Sequence, residues 1–186
     1  MVEEDKKKRI LEAALKLFTE KGIDNTSTAL ISKEADVAAG TIYLYFENKV
    51  DLINKLYLSI KEESMVASFL YLLEHSVGYE SLEKVWLENV EWGVNNPNKF
   101  RFIMQFDLSP YHTKDTKAKT PDFGKKWIKL IEDGIKNKIL KDLPSLYISE
   151  FFSAHFIFTV EYIIETKTNE RKIFFDTFFN GIKYTD

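Results

Sequence analysis

Apolar positions recur along this chain at three- and four-residue steps and nowhere alternate for long, so the pattern predicts helices and no sheet. About nine helices are expected. The first spans about residues 4–21, where Ile10, Ala13, Ala14, Leu17 and Phe18 form one stripe and Gly22 offers a residue free to take positive φ. A short helix over about 28–35 follows the hydroxyls of Thr26, Ser27 and Thr28. Asp36-Val37-Ala38 reads as a turn, and a second short helix over about 39–46 points Ile42 and Phe46 inward together. Asn48 is placed to cap a long helix, with Asp51 near its positive end. The stripe of that helix, Leu52, Ile53, Leu56, Tyr57 and Ile60, runs on into residues 65–75. Further helices are expected over 81–94, from Asn96-Pro97, from Thr120-Pro121-Asp122 to about 139, over 146–166 and over 170–184. Residues 107–120 are polar and read as a loop.

Two short helices joined by a turn cannot hold a core alone, so they must lie on the stripe of the first helix. Three helices with a tight turn between the second and third form the helix-turn-helix plan, whose last helix enters the major groove of DNA. With Ile42 and Phe46 turned inward, Thr41, Tyr43, Leu44 and Tyr45 are left on the outer face. An exposed Tyr-Leu-Tyr cluster calls for a partner. Tyrosine hydroxyls toward phosphates, and apolar groups toward thymine methyls, supply one. Gly40 lets backbone approach closely.

These segments resemble the TetR family of regulators. The resemblance rests on Ile10-Leu11-Glu12-Ala13-Ala14, Leu17-Phe18, Glu20-Lys21-Gly22, Thr26-Ser27, Ile31-Ser32-Lys33-Glu34-Ala35, Val37, Gly40-Thr41-Ile42-Tyr43, Tyr45-Phe46, Asn48-Lys49 and Leu52. It implies an all-α fold, with a helix-turn-helix head at 1–47 and a ligand-binding and dimerisation domain at 48–186, linked by the fourth helix. It implies that Ser27 and Thr28 contact phosphates, that Ala39, Gly40, Thr41, Tyr43, Leu44 and Tyr45 face DNA, and that Lys49 binds its backbone. Four positions depart from the pattern. Asp36 stands where glycine is usual, Ala38 and Ala39 where a serine and a polar or basic residue are usual, and Leu44 where histidine or tyrosine is usual. Asp tolerates the left-handed region. The other changes point to fewer polar contacts and more apolar readout.

The later helices are rich in aromatic residues, and the resemblance implies a ligand cavity among them. Trp86, Trp92, Phe106, Trp127, His155 and Glu161 are the candidate lining residues, suited to an apolar or aromatic small-molecule effector. The last two helices carry apolar residues all round, more than one monomer core needs. With the resemblance, this places Phe151, Phe158, Phe174, Phe175 and Phe178 at a homodimer interface, which sets two heads on a palindrome-like operator.

Composition narrows the alternatives. The chain has no cysteine, so thiolate chemistry and disulfides are excluded. His75, His112 and His155 share no ligand spacing, with Glu161 or otherwise, and neither a metal nor a cofactor is expected. No phosphate loop or nucleophile elbow is present, so an enzyme is not expected. No stretch approaches the ~20 apolar residues of a membrane span, and the expected location is cytoplasmic. Net charge is −3, and residues 1–60 hold 9 Lys+Arg against 10 Asp+Glu. A basic DNA-binding footprint is therefore missing. The run Lys6-Lys7-Lys8-Arg9 faces Glu3-Glu4-Asp5 and reads as a solvated face or as a backbone contact. The acidic balance with Ala38-Ala39 keeps open a helical ligand-binding or interaction protein that has lost DNA binding.

Overall fold

The computed structural model describes residues 2–107, 109–111, 113, 114, 116 and 123–185, with the side chains of 2–4, 65–70, 72, 73, 123 and 124 left aside. Nine α-helices stand among the described residues: α1 (Val2–Lys21), α2 (Thr28–Glu34), α3 (Ile42–Tyr45), α4 (Lys49–Glu74), α5 (Tyr79–Asn95), α6 (Pro97–Asp107), α7 (Phe123–Lys136), α8 (Ser145–Thr166) and α9 (Arg171–Ile182). No strand occurs among them; one isolated antiparallel bridge joins Leu140 to Lys183. The all-α expectation holds. His112 and the helix opening at Thr120-Pro121-Asp122 lie outside the described residues, as does much of the loop expected at 107–120.

The chain divides into two compact units, Met1–Glu63 with Asn96–Thr120 and Ser64–Asn95 with Pro121–Asp186. In the first, the stripe read from α1 is the core. Ile10, Ala13, Ala14, Leu17 and Phe18 are buried, together with Ile31, Ile42, Phe46, Leu52, Ile53 and Leu56. This unit also takes in α6, which lies along α1. Phe102 stacks on Phe18 at 5.9 Å between ring centroids, and Phe106 stacks on Tyr57 at 4.1 Å. The head therefore recruits apolar surface from well down the sequence.

Local signals fix the boundaries. Gly22 takes φ 86 and its N–H bonds Phe18 O at 2.9 Å, ending α1. Ser27 caps α2 by accepting the Leu30 N–H at 3.2 Å. Asn48 Oδ1 accepts the Asp51 N–H at 2.9 Å, and Asp51 in turn accepts the Glu47 N–H at 3.0 Å. The helix expected over 39–46 begins differently. Residues Ala39–Thr41 form a 3-10 turn before α3. Ala38 precedes it without a capping hydroxyl, so the first amides are closed by tight bonds such as Thr41 N–H to Ala38 O at 2.8 Å.

In the second unit, α5, α8 and α9 meet around Trp86, Phe175 and Phe178, all fully buried, and α7 covers α8. The segment after α7 is tied to the end of α9 by Lys141 N–H to Ile182 O at 2.8 Å and Tyr184 N–H to Ile139 O at 2.9 Å. Lys167 closes α8 in the left-handed region at φ 60. Lys167→Gly is expected to stabilise the chain by about 0.5 kcal/mol, since relief of about 1–2 kcal/mol of left-handed strain exceeds the added chain entropy of glycine. A thermal unfolding curve measures this.

Candidate nucleic-acid interface

The turn between α2 and α3 is held from α1. Asp36 takes φ 51, the left-handed geometry for which glycine is usual and asparate-type side chains are tolerated. The Arg9 guanidinium donates to Ala35 O at 2.5 Å, to Asp36 O at 2.9 Å and to Asp36 Oδ2 at 3.2 Å. Arg9 is thus neither a free solvated cation nor an outward contact; it satisfies the carbonyls of Ala35 and Asp36 just past the end of α2 and orients the turn. Lys16 and Glu34 pair at 2.5 Å beside it, again joining α1 to α2. Sequence reasoning placed Arg9 in a basic run, and only the fold shows where it points.

The turn aims α3 outward. Tyr43 is 56% exposed and Leu44 80% exposed, while Ile42 and Phe46 are buried. Ala39 and Gly40 are exposed; Thr41 and Tyr45 are half-buried. A Cβ added at Gly40 would meet nothing within 4 Å, so this chain's own packing does not demand glycine there.

Beside this face lies an open recess of about 390 Å³, lined by Asp24, Asn25, Thr26, Ser27, Thr28, Tyr43, Asn48 and Lys49. The structure brings together here four of the residues singled out in the sequence: Ser27, Thr28, Tyr43 and Lys49. The Thr28 and Tyr43 hydroxyls hydrogen-bond at 3.1 Å across the two helices. Lys49 Nζ donates to Ile23 O at 2.6 Å and to Asp24 O at 3.5 Å. Burial lowers the Lys49 pKa from its ordinary value, and the Asp24 charge opposes that shift. Thr26, fully buried, donates its hydroxyl to Gly22 O at 2.9 Å and thereby closes the floor. The recess is a cluster of hydroxyls, amides and one ammonium, a donor set suited to an oxyanion. Asp24 is the one acid among its lining residues, and sequence reasoning did not single it out.

The candidate cavity residues scatter more. Trp86 is buried with its ring centroid 5.8 Å from that of His155 and 5.7 Å from that of Phe175. His155 is half-buried, and burial lowers its pKa. Trp127 donates its indole N–H to Ser149 Oγ at 3.1 Å and meets Phe152 edge-on. It also borders a small, wholly apolar void of about 10 Å³ together with residues such as Leu140, Ile148 and Phe178. Trp92 is half-buried in the same unit, Phe106 is buried in the first unit, and Glu161 is exposed. Trp86 and His155 are therefore neighbours, whereas Phe106 and Glu161 belong to other environments.

The expected interface residues divide in two. Phe158 is 63% exposed, and Phe151 and Phe174 are half-buried. Phe175 and Phe178 are instead covered by their own chain, on the inner side of α9. The apolar surface left open consists of Leu146, Tyr147, Phe158 and Tyr162 on α8 and Ile173 on α9. Among the described residues no helix is long and apolar enough to cross a membrane.

Comparison with known proteins agrees with this fold. The family model for bacterial regulatory proteins of the tetR family matches residues 10–56. The uncharacterized HTH-type transcriptional regulator YhgD of Bacillus subtilis (strain 168) is 30% identical over 154 residues, spanning 74% of this chain and 73% of its own. A TetR family transcription regulator from Marinobacter aquaeolei VT8 shares the fold with a TM-score of 0.84 at 18% identity, covering 98% of this chain and 97% of that one. NalD of Pseudomonas aeruginosa, the secondary repressor of the MexAB-OprM multidrug efflux pump, does so with a TM-score of 0.70 at 20% identity, covering 97% of this chain and 98% of NalD. These relatives are transcription regulators and not enzymes. With the head, its recess and the helical second unit in place, the chain belongs to the TetR family of helix-turn-helix transcriptional regulators.

Proposed function

We propose that the chain is a ligand-responsive repressor that binds a palindrome-like operator as a homodimer and is released by an apolar or aromatic small molecule. The observation that carries the DNA-binding part is the recess in which Ser27, Thr28, Tyr43 and Lys49 converge beside the outward face of α3. A phosphate entering it meets hydroxyl donors and an ammonium. The Lys49 ammonium, resting on Ile23 O and Asp24 O in the free chain, turns toward it. Tyr43 and Leu44 then lie against the groove, with the exposed backbone at Ala39 and Gly40 and the side chains of Thr41 and Tyr45 beside them. Leu44 has no hydrogen-bonding group, so its readout is apolar contact, such as with thymine methyls.

The repressor and effector parts rest on other observations. NalD, of the same fold, is a repressor. The second unit gathers Trp86, His155, Phe152 and Phe178 into an aromatic cluster, and the small void beside Trp127, Phe152 and Phe178 is wholly apolar, which favours an apolar effector over a charged one. Trp92 and Trp127 are carried with these as lining candidates. Release requires that the effector bind the DNA-incompetent state more tightly than the competent one.

The experiment is binding of the purified protein to a duplex from the upstream region of its own gene, repeated over a salt series. Lys49→Ala is expected to weaken binding and to reduce the magnitude of the log K against log salt slope by about 1, one phosphate contact. Tyr43→Ala is expected to weaken binding with the slope unchanged, because a neutral hydroxyl releases no counterion. No sequence-selective binding by the wild type would sink the regulator reading. That outcome would favour a helical ligand-binding protein without DNA binding, a reading supported by the Asp24 carboxylate in the recess and the acidic balance of residues 1–60.

A further inference from the structure

Tyr111, Thr113 and Thr116, beyond α6, are held on Asn54, and Tyr111 also reaches Asp24 at the recess. Asn54 is buried on α4. Its Nδ2 donates to Tyr111 O at 2.8 Å and to Val50 O at 2.8 Å. Its Oδ1 accepts the Thr113 N–H at 3.4 Å and also the Thr116 hydroxyl. The amide thus serves as a hub that holds the backbone on both sides of residue 112 to α4. From that anchored position Tyr111 sends its hydroxyl to Asp24 Oδ1. Asp24 belongs to the connection between α1 and α2, and its own carbonyl accepts from Lys49.

Two consequences follow from charge and geometry. Asp24 is the one acid lining the recess, so a carboxylate free to turn there would repel an incoming phosphate. The connection that carries Asp24 also carries the Ile23 carbonyl on which the Lys49 ammonium rests at 2.6 Å. A donor fixed to Asp24 from outside therefore both occupies the acid and steadies the support of the cation.

We propose that Tyr111 is a positioning residue for the phosphate site: its hydroxyl, presented by a backbone whose carbonyl is held by Asn54, holds Asp24 so that Lys49 and not the carboxylate meets the DNA backbone. This rests on the DNA-binding reading above. It adds to the binding apparatus a residue some sixty positions beyond the helix-turn-helix, where the sequence reads as a polar loop.

The test is a double-mutant cycle on the full-length protein, with the upstream duplex and a random-sequence duplex as probes. Tyr111→Phe is expected to lower affinity for both duplexes about fivefold, the worth of one ordinary net hydrogen bond. In an Asp24→Ala background the same change is expected to have no effect, because the hydroxyl then has nothing to hold. Asp24→Asn keeps an acceptor for Tyr111 and removes the charge, and is expected to raise affinity about threefold. Thermal midpoints of the variants are expected to stay within a few degrees of the wild type. Wild-type affinity in Tyr111→Phe, an undiminished loss in the Asp24→Ala background, or a loss matched by a falling midpoint would each overturn the proposal. A wild-type protein that binds neither duplex overturns the DNA-binding reading itself, and this proposal with it; the two failures are told apart by whether the wild type binds.

Discussion

Phe175→Ala is expected to destabilise the second unit by about 3–5 kcal/mol, the range for truncating a fully buried phenylalanine. The ring is 0% exposed and lies among Tyr79 at 5.3 Å, Trp86 at 5.7 Å, Phe179 at 5.9 Å and Phe178 at 6.1 Å between centroids. These neighbours come from α5 and α9 and are large and rigid, so the cavity cannot close by small rotations. Against a total stability of about 5–15 kcal/mol for a domain, a loss of that size brings the unit near its threshold. Denaturant unfolding followed by tryptophan fluorescence is the suitable measurement, because Trp86, Trp92 and Trp127 all lie in the second unit and none lies in the first. Far-UV circular dichroism, which sees both units, is expected to keep a transition for the head. A midpoint change worth less than about 1 kcal/mol would mean that Phe175 is not a core residue.

Phe175 also shows where the sequence was readable and where it was not. Helical period, capping and punctuation sufficed for nearly every described helix, because each signal is local. Gly22 ends α1, Ser27 caps α2, Asn48 caps α4, and Pro97 opens α6, all within the reach of a turn. The family was legible for the same reason: the matching residues fall in one contiguous stretch. What the period did not settle was which side of α9 faces its own chain. Apolar residues surround that helix, so Phe174, Phe175 and Phe178 look alike in sequence, yet Phe175 and Phe178 are interior while Ile173 is exposed. Glu161 gave no better guidance, because an acid on an apolar helix reads equally as a buried polar group or as a solvated one, and it is exposed. Most of the recess was legible through Ser27, Thr28, Tyr43 and Lys49. Asp24 in its lining, Arg9 at the turn and Tyr111 beyond α6 were not, since each acts through a partner more than twenty positions away.

Phe158→Glu is expected to weaken the proposed homodimer by at least about a hundredfold while leaving the fold of the single chain intact. Phe158 is 63% exposed, so a charge there costs the monomer little. Its ring stacks on Tyr162 at 5.9 Å, and Tyr162 meets Phe174 edge-on at 5.7 Å, which makes a continuous apolar surface across α8 and α9. A surface of that kind, extended by Ile173, favours a covering partner over water. In the proposed two-fold dimer each substitution enters twice, so two carboxylates would be desolvated in one interface. The consequence for DNA is larger than the contact itself. Tethering two heads in the proposed dimer would make the second binding event intramolecular, with an avidity gain of about a hundredfold or more that a monomer forfeits. Binding to the upstream duplex is therefore expected to fall by about two orders of magnitude, while a single head keeps its weak, sequence-independent affinity for random DNA. Sedimentation equilibrium measures the first effect and a gel shift the second. A variant that stays dimeric at the wild-type dissociation constant would show that the face through Phe158 is not where two copies meet.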